Sequence, residues 1–311
     1  MPYGNVISRS DAAALIPEDV SQAFLGGAEN ESLVLSQFTR IPVAQSQTRL
    51  PILAALPLAY WVNGDTGLKQ TTEVNWANKY LNIEELAVIV PIPEAVLDDT
   101  SFDVWGSIQP LLENAVARAV DSAAVFGTNA PASFPTAIVT AAAAAGNSYT
   151  RGTNSAAAGG IAEDFNQLYA TMELDGYSPD ALAARITYKG LLRGARGTTG
   201  EQFGEVTPKE VHGVTPTYPM RGLWPSSSGS ATALALQSDQ FVVGVRQDFT
   251  YKILDQAVIQ DSNGDIVYNL AQQDMVAMRV TFRVGWQVAN PINYDQATEG
   301  SRSPAAVMLE P

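Results

Sequence analysis

Apolar residues recur at Trp105, Ile108, Leu112, Ala115, Val116, Ala119, Ala123 and Phe126, in steps of three and four. That spacing draws a single stripe along an α-helix. Glu113, Arg118 and Asp121 fall off the stripe, and Gly127 stands where a cap glycine ends a helix. Asp99, Thr100, Ser101 and Asp103 are N-cap candidates ahead of it. Pro110 decides between two starts. A helix beginning near Ser107 holds Pro110 in its first turn, where the missing N–H costs little. One beginning near Asp103 bends at Pro110, with Gly106 four residues back easing the clash. Either start gives about 17–22 residues and a rod of roughly 25–33 Å, which needs a surface laid against its stripe.

A second pattern has period two. From Met275 to Val288 the side chains alternate, with Val276, Met278, Val280, Phe282, Val284 and Trp286 on one face, which predicts one long strand. Asn82–Ile92 is an apolar strand feeding the long helix, and Gln240–Ile253 alternates in places. Asn263-Gly264 is the strongest two-residue hairpin signal in the chain. Leu58–Val62 and Glu73–Tyr80 flank a turn-rich stretch, Asn63 to Gly67, and read as the arms of a long hairpin. Tyr60, Trp61, Trp76 and Tyr80 lie on those arms. A two-stranded ribbon cannot bury such rings by itself, so they call for a partner surface; the alternative is a hairpin folded back on its own domain.

Between these segments the pattern is weaker. Short helices are expected at Glu18–Leu25, stopped by Gly26-Gly27, and at Glu31–Phe38. Neither is long enough to stand alone in water. Residues 128–160, rich in Ala and broken by Gly146, Gly152, Gly159 and Gly160, read as a connector. A helix with Ile161, Phe165, Leu168, Tyr169 and Met172 on one face closes at Gly176. A strand at Leu182–Thr187 and a helix at Tyr188–Ala195 follow, and a polar loop precedes Asp239.

Charge changes the picture. The 311 residues carry 18 Lys and Arg against 32 Asp and Glu, a net charge of -14. Phosphate contacts need clustered cations, so this is a poor tight binder of nucleic acid. Only 16% of residues are charged, against roughly 25% in an average domain. So little solvating charge points to a surface buried against other chains. No cysteine is present, and the first residues lack the cationic flank and apolar core of a signal peptide. The run AVIVPIP is too short to span a membrane.

No catalytic, cofactor or metal residues emerge. His212 is the only histidine and reads as a packing residue. The glycines from Gly194 to Gly200 lack the Lys-Ser/Thr of a phosphate loop and read as a turn. Asp261, Asn263 and Asp265 begin like a calcium loop, but Gly264 is misplaced and Gln272 stands where the loop needs Glu.

Three stretches then carry a family resemblance: LIPEDVSQAFL, LPILAALPLAYWVNGDTG and LAVIVPIPEAVLDDTSFDVWGSIQPLLENAVARAVDSAAVFG. Order and residues together resemble the major capsid proteins of tailed bacteriophages, the Hong Kong 97-type fold. The ribbon before a Gly-rich tip matches, as does the helix closing on Asp121, Ala123 and Gly127. QDMVAMRVTFRVGWQVANP is similar to the family's long return strand. Pro110 inside the helix and Thr100 where Ser is usual are departures.

The resemblance implies an α+β fold with an N-terminal arm (1–46), an extended β-hairpin loop (47–80), and a peripheral domain with a long spine helix and connector (81–160). A central axial α/β domain (161–270) and a return strand with C-terminal tail (271–311) complete it. It implies a homo-oligomer: a shell subunit forming pentamers and hexamers of an icosahedral head around double-stranded DNA, assembled in the host bacterial cytoplasm. Tyr60, Trp61, Asn63, Asp65, Lys69, Trp76 and Tyr80 are then the candidate inter-subunit contacts, and Gly106 and Pro110 the candidate bend of the spine helix. Some relatives cross-link a loop Lys to an Asn, a role open here to Lys69 with Asn290 or Asn293. A separate scaffold protein, a portal and decoration proteins are the further partners implied. The rival readings are an encapsulin-like compartment of the same fold and an unrelated hydrolase using carboxylates such as Asp98 and Asp99.

Overall fold

The computed structural model describes residues 32–62, 67–99, 104–196, 200, 205–219, 222–225 and 227–311. In chain order the elements are α1 (Leu33–Gln37), β1 (Thr39–Pro42), β2 (Gln47–Ala55), β3 (Asn75–Asn82), β4 (Glu84–Pro93), α2 (Glu94–Asp99) and α3 (Val104–Phe126). Then come α4 (Ile138–Ala145), β5 (Ser148–Thr150), α5 (Ile161–Leu174), β6 (Ala181–Ala184), α6 (Tyr188–Gly194), β7 (Pro216–Thr217) and β8 (Ala231–Leu236). The last are β9 (Phe241–Leu254), β10 (Val258–Gln260), β11 (Ile266–Asn269), β12 (Met275–Val288) and β13 (Ala305–Leu309). The described residues form two compact units.

The first unit takes Glu84–Ala117 and Gln247–Val284. β4 and β12 pair antiparallel without interruption from Glu84↔Val284 to Pro93↔Met275. Alternation puts Met278, Val280, Phe282 and Val284 inward, as the sequence pattern predicts. Trp105, Ile108 and Leu112 of α3 pack on Val88, Val90, Met278 and Val280. Phe249 stacks on Phe282 with ring centroids 4.6 Å apart. The Tyr251 hydroxyl donates to Glu113, and its pKa is pushed up to about 12, first by lost hydration and then by that carboxylate. β10 and β11 form the hairpin that Asn263-Gly264 signals, with Gly264 at φ +89°. Asp261, Asn263 and Asp265 serve that turn: Asp261 Oδ1 accepts from the amides of Asn263 and Asp265 at 2.8 and 2.9 Å. Charge is lopsided here, with seven acidic residues and no Lys or Arg in 84–117, and five against three in 247–284.

The second unit takes residues 32–83, Arg118–Arg246 and Gly285–Pro311. Its five-stranded sheet runs β5-β13-β8-β6-β7, with β8 antiparallel to both β13 and β6. Every residue of β6 and β8 is buried, which fits strands covered on both faces. Their alanines let the helices approach closely, and Phe165, Leu168, Met172, Tyr188 and Leu192 fill the core above them. His212 Nε2 donates to the Ala162 carbonyl at 3.0 Å, and the ring meets Tyr169 edge-on, a packing role. Among the described residues no helix is long and apolar enough to cross a membrane.

Several sequence expectations need correction. Of the two starts open for the long helix the earlier one holds and the Ser107 start does not: α3 is helical from Val104, with Pro110 inside it. Asp99 ends α2 instead of capping α3, while Thr100, Ser101 and Asp103 lie outside the described residues. Leu58–Val62 is not a strand: the ribbon ladder stops at Ala55, two residues before Pro57, which has no N–H to donate. The 128–160 stretch is not only connector, since its alanines form α4 and Ser148–Thr150 pairs with β13. Ala305–Leu309, read as tail, is a buried strand. The helix expected at Glu18–Leu25 lies outside the described residues.

Asp121 is the largest departure. The pattern puts it off the apolar stripe, yet it is wholly buried. Its carboxylate accepts from Ser32 Oγ (2.6 Å), the Leu33 amide (2.9 Å) and the Val34 amide (3.1 Å). Ser32 is itself the N-cap of α1, accepting from the Leu35 amide. A five-residue helix has no stability of its own; α1 exists because a carboxylate on α3 satisfies its first N–H groups. Burial pushes the Asp121 pKa up, and the three hydrogen bonds offset part of that. Asp121→Ala leaves those donors buried without acceptors, so we expect a loss of about 3 kcal/mol. Chemical denaturation checks the loss, with faster hydrogen exchange expected at Leu33 and Val34.

Candidate subunit-contact surface

β2 and β3 form a two-stranded antiparallel ribbon from Gln47↔Asn82 to Ala55↔Asn75. Alternation along β3 places Ala77, Lys79 and Leu81 on one face and Trp76, Asn78 and Tyr80 on the other. The two faces meet different fates.

The first face is fastened to its own chain. Leu81 is fully buried, and its Cδ2 lies 2.7 Å from where a Cβ on Gly244 would stand. A side chain at 244 would force Leu81 and Val43 to shift. Gly285 is tighter still: a Cβ there would fall 1.9 Å from the Asn82 carbonyl oxygen. Lys79 Nζ donates to the Val288 carbonyl at 3.1 Å and pairs with Glu299 at 2.8 Å. Gln287 Nε2 donates to the Tyr80 carbonyl at 2.8 Å, and the Tyr294 hydroxyl to the Pro57 carbonyl at 2.7 Å. The segment that receives the ribbon is stiffened from beneath. Arg302, buried, donates to the carbonyls of Asn290 (3.0 Å), Pro291 (3.0 Å) and Ala297 (2.8 Å).

The second face and the distal stretch have no cover. Trp61 is fully exposed, Leu68 is 90% exposed and Trp76 69%. Tyr60, Tyr80, Leu58, Val62 and Val74 are exposed as well. Large apolar side chains gathered on one projection mark an interaction surface rather than ordinary surface scatter. Lys69 is exposed beside them, while Asn63 and Asp65 lie outside the described residues.

The Asn candidates sit elsewhere in the second unit. Asn290 is buried, its Oδ1 accepting from the Tyr177 hydroxyl at 2.7 Å and its Nδ2 donating to the Arg302 carbonyl at 3.2 Å. Asn293 donates to the Asp175 carbonyl at 2.6 Å and accepts from the Gln296 amide at 2.7 Å. Gly106 and Pro110 both lie within the helical run of α3. Leu68 and Tyr294, both largely exposed, were not singled out by the sequence pattern, since neither has a periodic partner. The anchoring role of Asp121 was missed because its spacing is that of a solvent-facing residue.

Among the described residues no cluster of His, Cys, Asp or Glu could hold a metal ion. The family model described as "Phage capsid family" matches residues 12–178, more than half the chain.

The chain belongs to the phage capsid family.

A solved structure of Microbacterium phage Oxtober96 is 32% identical, with 99% of this chain and 100% of that one covered at a TM-score of 0.82. One of Mycobacterium phage Adephagia is 31% identical, with 99% of each chain covered at the same score. The major capsid protein of Staphylococcus phage 80alpha is 25% identical over 255 residues, 80% of this chain and 74% of that protein. The α+β architecture is thus the phage capsid fold, and this capsid subunit is a major capsid protein, a part of the virion shell. If the bare ribbon face is its lattice contact, Trp61→Ala leaves the subunit's melting temperature unchanged. It costs each contact about 2 kcal/mol or more, read by light scattering as slowed or abolished assembly.

Proposed function

We propose that the subunit tiles by repeated head-to-tail contact, each ribbon lying over the next copy, into five- and six-membered rings that close an icosahedral shell around double-stranded DNA. The observation that carries this is the fully exposed Trp61, six residues beyond the end of a ribbon whose inner face is fastened down. Head-to-tail contacts close into rings when the rotation between copies allows it. A subunit with several neighbours needs no single tight one, because simultaneous contacts add.

In this reading the subunit is structural and performs no catalysis. The acidic balance suits a wall that confines DNA without gripping it. A separate scaffold protein directs the first closed shell, a portal admits the DNA, and decoration proteins add from outside, as the family resemblance suggests. The lattice is held without covalent bonds: the amides of Asn290 and Asn293 are engaged within their own chain, which disfavours a Lys69 cross-link. Electron microscopy of purified protein should show closed particles. Phage heads hold nuclease-protected DNA, whereas an encapsulin-like compartment would yield particles without it. Denaturing gels of boiled particles should show one 33.1 kDa band; a ladder of multiples would overturn the non-covalent reading.

The bend of the spine helix is proposed at Gly106 and Pro110. Pro110 cannot donate the backbone bond that an interior helical residue normally makes. Pro110→Ala restores that donor, and the shell should then change its rate or extent of expansion, measured by particle diameter. Expansion identical to wild type removes the assignment.

A further inference from the structure

We propose that the Trp61 indole of one copy seats in a cavity at the foot of the ribbon of the next copy. This rests on the ribbon being the lattice contact and names the receiving surface. The cavity measures about 300 Å³. Ile138, Ala141, Phe241 and Val288 give it an apolar floor, and Lys79 and Glu299 stand among its lining residues. An apolar cavity of only ~150 Å³ takes up benzene, so this one has room for a bicyclic ring.

Its chemistry suits an indole in particular. The floor removes the ring from water. The Lys79 ammonium can face the indole π-surface, and the Glu299 carboxylate, more than half exposed, can accept the indole N–H. A phenyl ring would use only the floor.

The ring and the cavity do not meet within one chain. Lys79, in the cavity lining, pairs across the ribbon with Leu50. From Leu50 the ladder runs on to Ala55, about 17 Å at ~3.4 Å per residue, and Trp61 lies six residues further. Trp61 is fully exposed in its own chain, so it does not fill its own cavity. Trp61 lies beyond the end of the ladder whose foot carries Lys79, and it is bare in its own chain, so the occupant is a second copy. Every copy both gives and receives, which is the head-to-tail contact that builds rings.

The absence of cysteine in the chain makes a clean test. Val62→Cys keeps Trp61 and puts a thiol beside it; Ala144→Cys puts one on an exposed residue of the cavity lining. The two variants are mixed, assembled and oxidised. A mixed disulfide dimer on a non-reducing gel is expected only when both are present. Independently, Ala141→Phe fills the cavity from within and should slow assembly at least about ten-fold, as loss of a hot-spot contact does, while the monomer melts as wild type does. Particles that form normally without the mixed disulfide, or an Ala141→Phe variant that assembles at the wild-type rate, overturn the seating while leaving the lattice role of the ribbon intact. If Trp61→Ala assembles like wild type, it is the ribbon reading itself that fails.

Discussion

A two-stranded ribbon has two faces, and this chain covers only one of them. Leu81 over Gly244, Lys79 on Val288 and Glu299, and Gln287 on the Tyr80 carbonyl close the inner face. The outer face keeps Trp76 and Tyr80, and beyond the ladder Tyr60, Trp61 and Leu68 stand in water. An aromatic side chain buries 150–250 Å² when fully covered. At ~25 cal/mol per Å² that is about 4–6 kcal/mol gross, from which docking and ordering costs subtract. One such contact makes a weak dimer. The same contact repeated around a closed shell makes a durable object whose subunits still assemble reversibly, and so correct their errors.

Charge explains why the contact has to be apolar. Copies that each carry -14 repel one another, over a range of about 10 Å at 0.1 M salt. The acidic excess is concentrated in 84–117 and 247–284, whereas residues 47–80 hold three basic and two acidic side chains. The element proposed to reach a neighbour is therefore nearly neutral. It can cross the repulsive zone and bury rings without bringing uncompensated carboxylates into a dry interface.

Much of this was legible in the sequence because it is written in period and in residue type. The alternation of β12 survives from Met278 to Val284 but not at its start, where Met275 and Ala277 are buried and Val276 is not, and the stripe of α3 holds at Ile108, Leu112, Val116 and Ala123. The ribbon's unburied rings were visible because no neighbouring pattern could hide them. What was hidden depends on tertiary structure. Ala181–Ala184 and Ala231–Leu236 carry alanine, a helix former, in strands that only burial on both faces stabilises. Ala115, on the expected stripe, is exposed, and Asp121, off it, is buried, because α3 turns its last turns toward α1 as well as its own core. The receiving cavity joins residues from 79 to 304 and has no local signature at all.

The Ser32–Asp121 contact ties together positions 89 residues apart. Neither side chain is useful alone: the carboxylate without the arm is a stranded buried anion, and the arm without the carboxylate is a helix start whose Leu33 and Val34 amides lose their acceptor. Substitution at one site therefore changes what is tolerated at the other. In a lineage of such shells the two should drift as a pair, and a chimera that takes its arm from one parent and its spine helix from another inherits the mismatch.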